Sequence, residues 1–236
     1  MTATNSTPPA NAASTSFDVA LGRRATAEFI GTAFLLAGVV GSGIMADRLS
    51  TDVGLVLFQN AFATGAILVA LILALGPASG AHFNPAVTLA DRILGGTDNT
   101  TAGVYVAAQV AGGAFGVMIA NLMFGLDAVN WSTKERTGAD LVLAEAVATF
   151  GLIMVIYGVV RAGKPTLAAF SVGGYIAAAY YFTSSTSFAN PAVTLARTLS
   201  DTFAGIAPGG VAAFVGAQLV TGALAAYVMR FLYPEE

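Results

Sequence analysis

The chain has 236 residues, of which 56% are hydrophobic and only 10% are charged, a balance far from that of soluble globular domains. This composition predicts an integral membrane protein that has the lipid bilayer as its solvent. A net charge of -3 provides no basic surface for phosphates, which argues against nucleic-acid binding, and the absence of cysteine excludes disulfides, thiolate catalysis and cysteine metal sites.

The N-terminal segment is predicted to be a disordered tail over residues 1–20. It lacks the basic start and the apolar stretch of a cleavable signal peptide. Six mainly apolar stretches of roughly 20 residues follow, each long enough to cross a bilayer as a helix. These predicted spans lie near residues 25–46, 54–75, 102–125, 141–161, 167–185 and 208–232.

The distribution of basic residues favours cytoplasmic termini by a modest margin. An even number of spans places both termini on one side of the membrane. That side would hold six basic residues, against four on the other. The six are Arg23, Arg24, Arg92, Arg161, Lys164 and Arg230, and the four are Arg48, Lys134, Arg136 and Arg197. The alanine-rich sequence and short loops suit a multi-pass protein of a bacterial inner membrane.

Two apolar segments are too short to span a bilayer and begin with the same residues. They run from Asn84 to about Leu94 and from Asn190 to about Leu199. Asparagine is a favourable helix N-cap, and proline suits the first helical turn, where its missing N–H costs no hydrogen bond. Both segments are therefore predicted to be re-entrant half-helices.

The two short segments belong to an internal repeat. Seven residues, Asn-Pro-Ala-Val-Thr-Leu-Ala, recur 106 positions apart, beginning at Asn84 and at Asn190. Ala27-Glu28 recurs as Ala144-Glu145, and Ala108-Gln109 recurs as Ala217-Gln218. Each copy contains three spans, so the second copy enters the membrane in the opposite orientation. The predicted fold is an all-α membrane protein of six transmembrane helices and two half-helices, arranged as an inverted repeat of three-helix halves.

The predicted site is the point where the two half-helices meet near the midplane. Irregular backbone at membrane depth is tolerated only when it is buried in protein or lines a water-filled cavity, which indicates a pore. Two converging helix N-termini, each carrying about half a positive charge, should exclude protons and metal cations. The amides of Asn84 and Asn190 can donate hydrogen bonds to a passing solute. The alternative is that both asparagines merely cap their helices.

Three titratable residues near this site allow more than one interpretation. Glu28 and Glu145 lie within apolar spans, where a carboxylate is costly. The favoured role is structural, with each carboxylate accepting hydrogen bonds from the loop before a half-helix, and the alternative is proton coupling. His82 either hydrogen-bonds its loop, which is favoured, or gates the pore by protonation.

These motifs make the sequence resemble the aquaporin, or major intrinsic protein, family over residues 20–232. The resemblance rests on Ala27-Glu28-Phe29-Ile30-Gly31-Thr32, on the run from Ser79 to Thr88, and on a second Asn-Pro-Ala at 190–192. It implies a channel domain over 21–236, with repeats at 21–126 and 138–236, a homotetramer with one pore per subunit, and no cofactor or metal. The pore motifs it implies are Asn84, Pro85, Ala86, Asn190, Pro191 and Ala192.

The resemblance also implies a second constriction, the aromatic/arginine selectivity filter of the family. Counting from the asparagines assigns it to Thr64, Ala178, Ser187 and Val193. Most family members carry arginine where this chain has Val193. A filter of these four residues would be wide and uncharged, and would admit water, glycerol-like polyols and metalloid hydroxides such as arsenous acid. The pattern also resembles a bacterial subgroup that lacks the arginine and is associated with arsenic-resistance genes.

Arg197 follows Val193 by four residues and could present its charge at the pore mouth. The favoured alternative is that it pairs with Asp201 or with loop carbonyls. Two rival functions remain: an ion-coupled secondary transporter, whose flux would saturate and depend on an ion gradient, and an ion-conducting channel. An enzyme is not expected, because nothing resembles a nucleophile with its base, a metal site or a phosphate loop.

Overall fold

The computed structural model describes the backbone of residues 12–234 and the side chains of residues 20–234. Residues 1–11 of the predicted tail lie outside the described residues, and residues 12–20 form the start of the first helix. The described chain is all-helical, as predicted. Its eight α-helices are α1 Ala12–Leu49, α2 Val53–Ser79, α3 Pro85–Ile93, α4 Asn99–Met123, α5 Ala139–Arg161, α6 Ala168–Phe182, α7 Pro191–Ala196 and α8 Pro208–Leu232.

Five of these helices, α1, α2, α4, α5 and α8, are long and apolar enough to cross a membrane. The fifth predicted span, near residues 167–185, corresponds to α6, which has 15 residues and follows a 3₁₀ turn at Pro165–Leu167. The prediction placed its end near residue 185, whereas α6 ends at Phe182. The run Thr183-Ser184-Ser185-Thr186-Ser187 follows, and hydroxyl side chains of this kind compete with helical hydrogen bonding. Here Ser185 Oγ accepts from the Ser187 amide at 3.2 Å.

Glycines allow the long helices to approach one another closely. A Cβ atom at Gly112 of α4 would lie 2.3 Å from the carbonyl oxygen of Phe29 in α1. A Cβ atom at Gly116 would lie 2.1 Å from the carbonyl oxygen of Ala33 in the same helix. Gly65 of α2 and Gly173 of α6 face each other in the same manner. A Cβ atom at Gly65 would lie 2.8 Å from the Gly173 carbonyl oxygen, and one at Gly173 would lie 2.6 Å from the Gly65 carbonyl oxygen. These small residues therefore set the distance between backbones, the role typical of glycine in membrane helix packing.

The half-helices interlock the two repeats. The half-helix α3 of the first repeat packs on α8 of the second, where a Cβ at Gly222 would lie 3.4 Å from Ala86 Cβ. In the same way α7 packs on α4, where a Cβ at Gly113 would lie 3.2 Å from Ala196 Cβ. Because each half-helix is held by the opposite repeat, their N-termini meet in the middle of the bundle.

Candidate functional site

The two asparagines cap their own half-helices and also tie the two loops together. Asn84 Oδ1 accepts from the Ala86 amide at 2.8 Å, and Asn190 Oδ1 accepts from the Ala192 amide at 2.9 Å. Asn84 Nδ2 then donates to the carbonyl of Ala189 at 2.8 Å, while Asn190 Nδ2 donates to the carbonyl of Phe83 at 2.8 Å. Each amide group has two hydrogens, so one remains for a solute.

The backbone before each asparagine is held in a left-handed conformation at matching positions. Ala81 and Phe83 have φ of 52° and 49°, and their counterparts Ser187 and Ala189 have φ of 51° and 48°. This region is costly for residues other than glycine, so the surrounding structure must impose it. The strained segments are therefore anchored features of the site.

Two buried carboxylates supply that anchoring. Glu28 accepts from the amides of His82 at 3.0 Å and Phe83 at 2.7 Å, and from Ser79 Oγ at 2.6 Å. It also accepts from Gln109 Nε2 at 2.7 Å. With four donors around it, the carboxylate is satisfied although no part of Glu28 is exposed. The loop amides point toward Glu28, which leaves the carbonyls of Gly80, Ala81 and His82 without a hydrogen bond to any described residue.

Glu145 repeats this arrangement in the second half. It accepts from the amides of Phe188 at 2.9 Å and Ala189 at 2.8 Å, and from Gln218 Nε2 at 2.6 Å. Like Glu28, it is completely buried. The contacts of both carboxylates are those of a structural anchor.

His82 makes contacts within the first loop region. Its Nδ1 lies 3.1 Å from Thr88 Oγ1 on α3, and its Nε2 lies 3.9 Å from Asp91 Oδ2. Its ring packs edge-on against Tyr105, with 5.4 Å between ring centroids. These contacts fit the loop-bonding role favoured for this residue.

A cavity of about 310 Å³ runs through this site, and both asparagines lie in its wall. One end of the wall includes His82, Asp91 and Tyr157. The other end includes Thr64, Tyr180, Ser187, Val193 and Arg197. The wall also includes the apolar side chains of Leu35, Val39, Leu68, Leu152, Val172 and Ile176, together with the loop residues Gly80, Ala81 and Phe188. The wall of the cavity therefore combines polar and apolar residues.

Three of the four predicted filter residues, Thr64, Ser187 and Val193, lie together in this wall, but Ala178 does not. Ala178 is exposed on the outer surface of α6. The wall position is taken by Tyr180, whose Oη lies 3.1 Å from Thr64 Oγ1. Successive helix residues are about 100° apart, so Ala178 and Tyr180 face nearly opposite directions. Ser187 Oγ is buried in the wall without a hydrogen-bond partner among the described residues.

Arg197 lines the cavity one helical turn beyond Val193 and is only 2% exposed. Its Nε donates to the carbonyl of Ala204, and its guanidinium carbon lies 3.4 Å from the ring centroid of Phe188. Asp201 instead accepts from the amide and hydroxyl of Thr133, at 2.8 and 3.1 Å to Oδ1. Of the two partners considered for Arg197, the structure shows the loop carbonyl, while the side chain also reaches the cavity.

Sequence reasoning missed several residues of the site. Tyr180 and Tyr157 carry no motif that would have marked them. Asp91 does carry a signal, since it stands seven residues after Asn84, just as the predicted pore-mouth residue Arg197 stands seven residues after Asn190. Arg136 is buried and donates from Nε to the Gly205 carbonyl at 2.8 Å and from a terminal nitrogen to the Ser185 carbonyl at 3.2 Å. It braces the loop that carries Ser187.

Two further cations lie near Arg197 in the loop between α4 and α5. Lys134 Nζ donates to the Phe203 carbonyl at 2.7 Å. Burial is the main cause that lowers the pKa of Lys134 to about 8, and the nearby charges of Arg136 and Arg197 contribute to the same shift. Burial also lowers the pKa of Arg136. This end of the bundle therefore concentrates positive charge.

Comparison with known proteins gives consistent results. The model of the family described as Major intrinsic protein matches residues 15–187. Aquaglyceroporin AqpS of Rhizobium meliloti (strain 1021) is 50% identical over 212 residues, covering 90% of this chain and 91% of that protein. Aquaporin NIP1-2 of Arabidopsis thaliana is 33% identical over 161 residues, covering 64% of this chain and 54% of that protein. The X-ray structure of the aquaglyceroporin from Plasmodium falciparum has a TM-score of 0.71 and 22% identity, covering 90% of this chain and 95% of that one.

Proposed function

Because this chain belongs to the major intrinsic protein family, we propose that its cavity is a passive pore selective for small uncharged polyhydroxy solutes. The chain is a multi-pass membrane channel of the aquaglyceroporin type and not an enzyme. The observation that carries the solute class is a cavity of mixed polar and apolar lining whose wall includes both Asn-Pro-Ala asparagines and residues of both loops.

The wall chemistry matches a polyol. A polyol presents both hydroxyl and C–H groups, and the cavity wall includes loop residues with unpaired carbonyls as well as aliphatic side chains. Each hydroxyl that leaves water needs a replacement partner, because an unsatisfied buried polar group costs roughly 1–3 kcal/mol. The carbonyls accept from the solute, while the free hydrogens of Asn84 and Asn190 donate to it.

We propose that Thr64, Tyr180, Ser187 and Val193 form the narrow filter of this pore, with Tyr180 in the place first assigned to Ala178. Val193 supplies an apolar surface where most relatives would supply a charge. The hydroxyls of Thr64, Tyr180 and Ser187 supply polar contacts, and Ser187 Oγ is the one among them without a protein partner. Such a filter suits glycerol. It also suits arsenous acid, because both solutes are neutral and carry three hydroxyl groups.

Two rival functions, ion-coupled transport and ion conduction, receive less support. Coupled transport would need a titratable group exchanging protons, yet Glu28 and Glu145 are each occupied by backbone and glutamine donors. Ion conduction is opposed by the two helix N-termini that converge at Asn84 and Asn190, because both present positive ends to a cation. Passive passage of neutral solutes fits these groups best.

We propose further that the protein is a homotetramer in the bacterial plasma membrane with cytoplasmic termini. Large apolar side chains are exposed on the outer surface of the bundle, including Phe58, Phe62, Phe170 and Tyr181. These surfaces suit contact with lipid and with other copies of the chain. Chemical cross-linking in native membranes and protease protection of a C-terminal tag test the assembly and the orientation.

The experiment that tests the pore is stopped-flow light scattering on proteoliposomes. Permeability to water, glycerol and arsenous acid is measured for the wild type, Val193→Arg and the neutral control Val193→Leu. We expect the wild type and the control to pass all three, and the arginine variant to retain water while losing the larger solutes. A wild type that passes water alone contradicts the filter, and one whose glycerol flux saturates and follows an ion gradient contradicts the channel.

A further inference from the structure

Asp91 and Arg197 are the two formally charged side chains in the described cavity wall, and they stand at equivalent positions of the inverted repeat. Each follows its asparagine by seven residues, at the C-terminal end of its half-helix. A rise of 1.5 Å per residue places each charge about 10 Å from the meeting point of the half-helices. Because the half-helices point away from each other, the two charges lie toward opposite ends of the pore.

The charge of Arg197 has no ionic partner among the described residues. Its Nε is bound by the Ala204 carbonyl, but its terminal nitrogens make no hydrogen bond to a described residue. The guanidinium rests against the ring of Phe188, which orients it without neutralising it. Arg136 and Lys134 add positive charge nearby. A buried cation held in this manner is available to the pore.

Asp91 is placed where its own helix disfavours it. The C-terminal end of a helix is negative, so a carboxylate in the last turn of α3 is electrostatically unfavourable. Thr97 Oγ1 donates to it, and Tyr157 Oη donates at 3.2 Å, so the carboxylate is oriented rather than neutralised by an arginine or lysine. His82 Nε2, at 3.9 Å, is the one titratable base beside it.

We propose that Asp91 and Arg197 form a two-ended charge barrier, in which Arg197 rejects cations at one end of the pore and Asp91 rejects anions at the other. The converging helix N-termini explain why a negative charge is needed in addition to a positive one. Their positive ends oppose cations but attract anions, so the centre of the pore cannot exclude an anion. Asp91 supplies that missing exclusion, while Arg197 supplies the cationic group that Val193 lacks.

This inference rests on the proposed pore and assigns its charge selectivity to two residues. A neutral solute crosses both ends without a large Coulomb term, whereas an ion of either sign meets like charge at one of them. The pore can therefore have a wide filter without dissipating the ion gradients across the membrane. Neither residue lies in the Asn-Pro-Ala segments or at the four filter positions.

The test compares ion permeability of Asp91→Asn and Arg197→Gln with that of the wild type. Purified protein is reconstituted into planar bilayers under a KCl gradient, and the reversal potential is measured. Glycerol flux of the same preparation in liposomes shows whether each variant folds and opens. Asp127→Asn and Arg230→Gln remove one charge of each sign at exposed positions outside the wall and serve as controls.

We expect no measurable current from the wild type or the controls. Asp91→Asn should raise chloride permeability by at least about tenfold, and Arg197→Gln should do the same for potassium, with reversal potentials of opposite sign. The barrier is overturned if Asp91→Asn passes glycerol but no chloride, or if both variants conduct the same ion. Should Arg197→Gln fail to fold, Asp91→Asn decides the question alone.

The outcomes also separate this inference from the proposed function. A wild type that passes no glycerol contradicts the neutral-solute pore, whatever the variants do. Chloride current through Asp91→Asn would still show that this carboxylate blocks anions. Normal glycerol flux without any gain of ion current contradicts the charge barrier and leaves the neutral-solute pore in place.

Discussion

Tyr180 Oη lies 3.1 Å from Thr64 Oγ1, so a tyrosine and a threonine are within hydrogen-bond distance of each other in the wall of the cavity. The pair connects α6 to α2 near the Ser187 loop. Tyr180 is the one aromatic side chain among the four proposed filter residues. The size of the opening should therefore depend on this ring.

Replacing Tyr180 with alanine should widen the pore, while changing Ala178 should not. Tyr180→Ala removes the ring from the wall, so we expect the permeability ratio of a four- or five-carbon polyol to glycerol to rise severalfold. Ala178→Leu adds volume on the exposed side of α6 and should leave that ratio unchanged. Stopped-flow measurements with a polyol series check both variants. A ratio that responds to Ala178→Leu and not to Tyr180→Ala would show that position 178 faces the pore.

Neutralising either anchoring carboxylate should reduce the amount of folded protein. In Glu28→Gln and Glu145→Gln one accepting oxygen becomes an NH₂ group. This group cannot accept the hydrogen bond that a neighbouring N–H or O–H donates to the carboxylate. Hydrogen bonds to a charged group contribute roughly 1.5–3 kcal/mol each, so we expect a clear fall in thermal stability in detergent. Size-exclusion chromatography and a thermal shift assay measure the loss.

Glu135→Gln, at an exposed position in the loop before α5, is the matched control and should behave as the wild type. The opposite result would be normal folding of Glu28→Gln together with a changed pH dependence of flux. That outcome would support proton coupling.

Two glycines of α4 should respond to alanine in opposite ways. A Cβ at Gly116 would lie 2.1 Å from the Ala33 carbonyl oxygen, so Gly116→Ala must push α1 and α4 apart. A Cβ at Gly103 meets nothing within 4 Å, and alanine there gains up to about 1 kcal/mol of helix propensity. Thermal unfolding should show a lower Tm for Gly116→Ala and an equal or higher Tm for Gly103→Ala. Equal Tm values for the two variants would count against close packing of α1 on α4.

Lys134 should lose its proton near pH 8, well below the ordinary lysine value of 10.5. Its lowered pKa means that the folded protein binds this proton less tightly than the unfolded chain does, so this group favours folding as pH rises from about 8 to 10.5. Only the neutral amine reacts with an acylating reagent. The acylation rate of Lys134, followed by mass spectrometry, should therefore reach half its maximum near pH 8. A midpoint near 10.5 would contradict the lowered pKa.

The repeat made much of the fold predictable. Seven identical residues at Asn84 and Asn190, together with the matched pairs containing Glu28 and Glu145, indicate an inverted repeat from the sequence alone. The resemblance to the family is confirmed by the family match and by the relatives. The boundaries of the later five spans were predictable to within a few residues, because apolar length is a strong signal in membrane helices. The first helix instead begins at Ala12, well before the predicted start near residue 25, because a helix can extend beyond its apolar stretch.

The filter was harder to predict because counting along the chain assumes a fixed loop length. The count of twelve from Asn190 leads to Ala178, whereas the residue near the end of α6 that lines the wall is Tyr180. One residue along a helix changes direction by about 100°, so an error of two residues exchanges an inner for an outer position. The contacts of Arg197 depend on a loop fold that no local pattern specifies.

The interlocking of the half-helices has a consequence for biosynthesis. The loop before α3 is completed by Ala189 and Asn190, and α3 itself packs against α8, the last helix of the described chain. No intermediate that lacks α8 can hold α3 in its final place. The half-helix that is translated first must therefore wait, incompletely docked, until α8 has been translated, and loss of α8 would disrupt a loop made more than 120 residues earlier.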